Sequence, residues 1–255
     1  MTSTTNSHRR GGRWPIMIAW LAVILLLATA VVMGGSGPAY QKDWISLGEA
    51  FTYLRRGAYL AIGAGAVGLV ALIVAGFCRR WGPALIGGLV SLAVVGMLVV
   101  PVQMMQRSQS VPPIHDITTD LENPPAFEAL AAAREAAPNA VNHPGEDTAR
   151  QQRDAYPAIQ PVVFEQPLAN VMQAAEETAQ AQGWEIASVT ENKIEATATT
   201  RWFGFKDDVV IRLTETDEGV RVDMRSASRF GASDVGTNAA RIQAYLEALK
   251  SSLRG

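Results

Sequence analysis

The chain has 255 residues, and its 22 Lys and Arg against 24 Asp and Glu give a net charge of −2 that conceals a division. Residues 1–102 carry eight basic and two acidic side chains, whereas residues 103–255 carry fourteen and twenty-two, so the two parts stand at +6 and −8. An acidic C-terminal part repels phosphate backbones and argues against nucleic acid as a partner, and the lone cysteine, Cys78, excludes an intramolecular disulfide.

Three apolar runs without a charged side chain, about residues 15–33, 58–78 and 83–102, are each long enough at about 1.5 Å per residue to approach or cross a hydrocarbon core about 30 Å thick. They predict three membrane spans in a region covering residues 1–102. Arg9, Arg10 and Arg13 precede the first run, and Arg79 and Arg80 fill the short connection between the second and third. Basic flanks stay cytoplasmic, so the N-terminus is expected inside, and the 34–57 loop and everything after Val102 outside, with Arg55 and Arg56 on the unfavourable side. A cleaved signal peptide competes for the first run, but its apolar stretch exceeds the roughly 7–15 residues of a signal core.

In the 34–57 loop Trp44, Leu47, Phe51 and Leu54 recur at helical spacing, which fits either a short surface helix or aromatics resting at headgroup level. Gly63, Gly65 and Gly68 spell G-x-G-x-x-G, yet they lie inside an apolar run rather than between a strand and a helix. With Ala61, Ala64, Gly87 and Ser91 they are expected to let helices approach closely. No ionisable residue lies inside a span, which argues against ion or proton transport.

Residues 103–156 are rich in Pro, Ala, Asn and charge and predict an extended or wrapped segment, with a short helix over Phe127 to Ala137 ended by Pro138. Residues 157–255 predict an α+β domain. Ile159 to Phe164 reads as a strand, and Leu168, Val171, Met172, Ala175 and Ala179 recur with helical period up to Gly183. Trp184 to Thr190, Lys193 to Arg201, Asp208 to Thr214 and Val220 to Ser226 follow as strands; Glu191-Asn192 and Asp217-Glu218-Gly219 are short enough for hairpins. In the last two strands Val209, Ile211, Leu213, Val220, Val222 and Met224 form an apolar face and Val210, Arg212, Thr214, Arg221, Asp223 and Arg225 a largely polar one. A final helix from about Val235 to Leu253 carries Ile242, Tyr245, Leu246, Leu249 and Leu253 as a stripe to cover the apolar face. The expected fold is therefore three transmembrane helices followed by an antiparallel sheet packed with two helices.

Three stretches resemble the bacterial and plastid family known as the domain of unknown function 1499. The run from Ser226 through Ser228, Arg229, Gly231, Ser233, Asp234, Gly236, Asn238 and Arg241 to Ile242 is similar to that family's closing signature. Phe205 to Arg212 resembles its central strand, and Pro113 to Asp120 with Pro124, Pro125 and Phe127 its opening. The resemblance covers roughly residues 111–253 and implies a membrane-anchored form and a fold, but no established activity. Paired cysteines found in the opening of some members are absent here, so no redox or metal role is carried over.

Asp234, Asn238, Arg241 and Tyr245 follow at helical spacing, with Arg225, Ser228 and Arg229 just upstream. Arginines at a helix start can bind an anion through charge-assisted hydrogen bonds and free N–H groups, which makes Arg225, Ser228, Arg229, Asp234, Asn238 and Arg241 the candidate ligand site. The competing reading makes Ser233 or Asp234 a helix cap and pairs Arg229 and Arg241 with Asp234 as a structural brace. Trp202, Phe203 and Phe205 around Gly204 either close the core or press into headgroups.

His115 beside Asp116, and the Asp207-Asp208 pair, admit acid/base chemistry, but no zinc-type His/Cys spacing or nucleophile elbow accompanies them. No metal and no cofactor is expected. The sequence thus predicts a multi-pass bacterial inner-membrane protein whose periplasmic domain binds membrane lipids, another envelope or membrane protein, or an anionic small molecule. The alternative is a periplasm-facing hydrolase using His115, Asp116 or Asp208 with Arg229 as anion stabiliser, and a purely structural scaffold is a third reading.

Overall fold

The computed structural model describes residues 12–254, which fall into two compact units bounded as Met1–Gln103 and Met104–Gly255. Arg9 and Arg10 lie outside the described residues. Three helices, α1 (Trp14–Gln41), α2 (Leu47–Phe77) and α3 (Trp81–Ser110), are long and apolar enough to cross a membrane.

The helices run well beyond the apolar stretches, which corrects the expected 34–57 loop: only residues 42–46 separate α1 from α2. A capping box causes the early restart. Ser46 Oγ accepts the Glu49 N–H while the Glu49 carboxylate accepts the Ser46 N–H at 2.8 Å. Trp44 and Phe51 are exposed, and Trp44 sits under the Lys42 ammonium. Small residues fix the contacts between helices as expected. A Cβ on Gly87 would stand 2.4 Å from the Gly68 carbonyl oxygen, and Ser91 Oγ donates to the carbonyls of Gly65 and Gly87 at 3.2 and 3.0 Å.

The second unit is built on one antiparallel sheet. Its strands are β1 (Asp116–Thr118), β2 (Val162–Phe164), β3 (Glu185–Val189), β4 (Lys193–Thr199), β5 (Lys206–Thr216) and β6 (Gly219–Ser228). The order is β1-β6-β5-β4-β3, with β2 sharing the outer edge of β6 with β1. β1 pairs with residues 225–227 and β2 with residues 220–222, so the two short strands occupy opposite ends of that edge. Both expected hairpins form, and β4 pairs with β5 through a third.

Two helices, α6 (Leu168–Ala181) and α7 (Thr237–Ser252), cover the apolar face. Val209, Ile211, Leu213, Val222 and Met224 meet Val171, Ala175, Ile242 and Leu249 there, all fully or almost fully buried. Tyr245 stacks on Trp184 at 5.2 Å and donates to the Ala175 carbonyl at 2.8 Å, which ties the helices together.

The other sheet face was expected to be polar and is, but it does not face water. Residues 119–145, including α4 (Ala131–Glu135), lie over it as a strap that buries Phe127 and Leu130 against Val210 and Ala227. A further helix, α5 (Glu146–Ala155), follows the strap, and its buried Gln152 pairs with both the N–H and the carbonyl of Thr118 at 3.0 and 2.6 Å. The short helix expected over Phe127 to Ala137 is the five-residue α4, and neither α5 nor β1 was anticipated.

Candidate functional site

Because side chains alternate along a strand, neighbouring residues serve opposite faces. The candidate residues accordingly divide between two networks. Under the strap, the Arg225 guanidinium grips both oxygens of Asp116 at 2.9 and 2.7 Å and donates to the carbonyls of Pro125 and Val141. Arg229 grips both oxygens of Asp208 at 2.8 Å, and Asp208 also accepts from Thr197 Oγ1 and from Arg134. Arg134 donates in addition to the carbonyls of Ala227 and Ala140. Phe127 lies between two cations, 4.7 Å from the guanidinium carbon of Arg134 and 4.7 Å from that of Arg225. Burial pulls the Arg134 proton affinity down, with Asp208 and Asp116 opposing; bonding to Asp208 pushes that of Arg229 up.

Further along the same face Arg212 and Arg221 share Asp120 and Asp223 at 2.9–3.1 Å in a closed ring of four charges. Glu195, buried on β4, accepts the N–H groups of Glu128, Ala129 and Leu130 at 2.9, 3.1 and 3.0 Å and thereby holds the strap where α4 starts.

On the helix face, Arg241 pairs with Asp207 at 2.6 Å and donates to Ser226 Oγ at 2.9 Å, and to the Asn238 side-chain oxygen. Asn238 Nδ2 donates to Ser228 Oγ and the His115 carbonyl, both at 3.0 Å. Asp234 turns inward to the start of α7 and accepts the N–H groups of Gly236 and Asn238 at 2.9 and 2.7 Å. Burial pushes its carboxyl above the usual range even so.

The structural alternative had paired Arg229 and Arg241 with Asp234, and that pairing does not occur. Asp234 is committed to backbone N–H groups, and the two arginines find Asp208 and Asp207 on opposite faces. Arg225, Ser228, Arg229, Asp234, Asn238 and Arg241 therefore do not converge on one concavity. Asp208 and Arg229 do meet, as the hydrolase reading required, but the carboxylate is sealed from solvent. Asp116 is equally enclosed. Of the aromatic cluster, Phe203 is buried and stacks on Phe205 at 5.0 Å, while Trp202 remains 40% exposed. Sequence reasoning missed Arg134 and Glu195, which no local pattern marks, and marked Asp120 only as part of the stretch that resembles the family's opening.

One imidazole of the strap is half-buried. Gly145 N–H donates to His143 Nδ1 at 3.2 Å, and Nε2 is buried without a partner among the described residues. Burial holds this imidazole below its ordinary 6.5, with Asp116 opposing and Arg225 and His115 adding to the depression. The unfolded chain therefore takes up the proton first, so this contribution to stability is complete above the ordinary value and is lost as pH falls below it. Urea unfolding of the full-length protein should show stability falling as pH drops below about 6.5, and His143→Gln should flatten that segment of the profile.

A search among curated proteins finds no significant match. The family model described as "Protein of unknown function (DUF1499)" matches residues 116–249, more than half of the chain and nearly the whole braced domain from β1 to the last turns of α7. The chain belongs to the DUF1499 family and joins that domain to three helices able to span a membrane.

Proposed function

We propose that this protein is a multi-pass component of the bacterial inner membrane, with its N-terminus cytoplasmic and its C-terminal domain periplasmic, and that this domain is a non-catalytic binding module. The observation that carries the reading is the state of the charged groups. Asp116, Asp208, Arg225 and Arg229, the side chains best suited to acid/base or anion chemistry, are held in bidentate pairs. A catalytic carboxylate needs access to a substrate proton, whereas groups so engaged make a rigid platform whose outer surface is left for recognition. Arg13, Arg79 and Arg80 support the orientation by the preference of basic flanks for the cytoplasm, and Arg80 donates to the Gly12 carbonyl.

Crosslinking in native membranes followed by purification of the full-length protein should enrich bound lipid or a defined protein. Hydrolysis of ester and phosphoester substrates by the same preparation should stay at background. Turnover abolished by Asp208→Asn, in a variant that keeps its fold by circular dichroism, would replace this reading with the hydrolase one.

A further inference from the structure

The two ends of the sheet differ in chemistry. At one end lie the β4–β5 hairpin, the exit of β6 and the entry of β1: Asp116 pairs with Ala227, Asp207 with Ser228, and Arg229 N–H donates to the Lys206 carbonyl at 3.0 Å. The hairpin there is tight, with Gly204 N–H donating to the Thr200 carbonyl and Thr200 N–H to that of Phe205, both at 2.9 Å. It carries Trp202, and the β6 exit carries Phe230, which is 45% exposed; Arg201 and Lys206 are exposed beside them. The opposite end holds the exposed acids Glu191, Glu215, Asp217 and Glu218. Glu185 is exposed at the first end too, but cations and large aromatics stand together there in an otherwise acidic domain.

The chain reaches the domain from α3 at that same pole. Only residues 111–115 separate α3 from β1, Asp234 N–H donates to the Ile114 carbonyl at 3.1 Å, and a Cβ on Gly236 would meet Val111 at 3.5 Å. Thirteen residues, 103–115, lie between the end of the third apolar run and β1.

We propose that this aromatic and basic pole rests on the surface of the bilayer that anchors the protein, with Trp202 and Phe230 in the headgroup layer and Arg201 and Lys206 against anionic lipid phosphates. Indole and phenyl rings favour that layer, and cations near an anionic surface are drawn to it. The inference rests on the binding-module reading and names lipid as what this pole binds.

The test uses full-length protein with benzoylphenylalanine at position 202 or 230, reconstituted in bilayers of phosphatidylcholine with phosphatidylglycerol or of phosphatidylcholine alone. Val163 and Val189, exposed by 41% and 42% towards the other end of the sheet, are the control positions. Irradiation should give phospholipid adducts at 202 and 230 several-fold above the controls. Phosphatidylglycerol should raise the yield, and Arg201→Glu with Lys206→Glu should cancel that rise. Equal lipid yields at both ends, or yields indifferent to anionic lipid, would overturn the proposal. Irradiation of the same variants in native membranes that gave adducts at 202 and 230 to a protein in place of lipid would also overturn it, while leaving the binding-module reading intact.

Discussion

Arg225→Met is expected to destabilise the C-terminal domain by about 3–5 kcal/mol, because it leaves the Asp116 carboxylate buried without its counter-charge. A domain of this size holds about 5–15 kcal/mol in all, so the loss is a large fraction. It is also local. Arg225 joins Asp116, the Pro125 and Val141 carbonyls and the ring of Phe127, so β1 and the strap should open before the helix face does. Hydrogen exchange on the full-length protein in detergent would show protection lost over residues 116–145 and kept in α6. The double variant Asp116→Asn, Arg225→Met removes both charges and should recover part of the loss. A single variant costing under about 1 kcal/mol, or strictly additive costs in the double, would mean that the pair is not a brace.

Glu195→Ala is expected to cost about 3 kcal/mol or more, since three N–H groups at the start of α4 lose their acceptor together and each buried orphan costs about 1–3 kcal/mol. Strand β4 itself should hold, because its ladder to β5 is untouched. Glu195→Gln should fall between the two, keeping one acceptor oxygen while turning an amide donor towards backbone donors. The measurement is exchange at the amides of residues 128–130 relative to those of β4. Unchanged protection at these three amides in Glu195→Ala would show that the strap is held by its apolar contacts alone.

How much of this was legible in the sequence depends on whether the cause of an element is local. The two hairpins, α6 and α7 follow from short turns and helical periodicity and stand within a few residues of where the pattern put them, whereas the three long apolar runs locate α1, α2 and α3 but not all of their ends, one end of each lying eight to eleven residues further out. Strand β1 has three residues, too few for an alternation to show, and exists because β6 offers it an edge about a hundred positions later. Helix α5 has almost no apolar stripe; it buries Gln152 through two hydrogen bonds to Thr118. Its acidic first turn, Glu146 and Asp147, and Arg153 in its last turn are the charge signature that would have revealed it.

The site divides in the same way. The closing run was picked out as a set of arginines, Asp and Asn, and those residues are indeed bonded, but partners such as Asp116 for Arg225 or Arg134 for Asp208 are 109 and 74 residues away. The sequence pattern starts the strand at Asp208, and only with β5 reaching back to Lys206 does alternation send Asp207 and Asp208 to different faces. What it did not supply was the strap, without which the polar face reads as solvated.

The edge of β6 also sets the order in which the chain can be assembled. As synthesis proceeds, β1 emerges about a hundred residues before the strand that receives it, and Asp116 has no guanidinium to meet until Arg225 has been made. Contacts of such long sequence separation are slow to form. The hairpins of β4, β5 and β6 close over short loops and come first by comparison. The strap is therefore among the last layers to be completed, and a nascent chain halted before residue 219 would carry its covering segment without the β6 edge and without the guanidinium that binds Asp116.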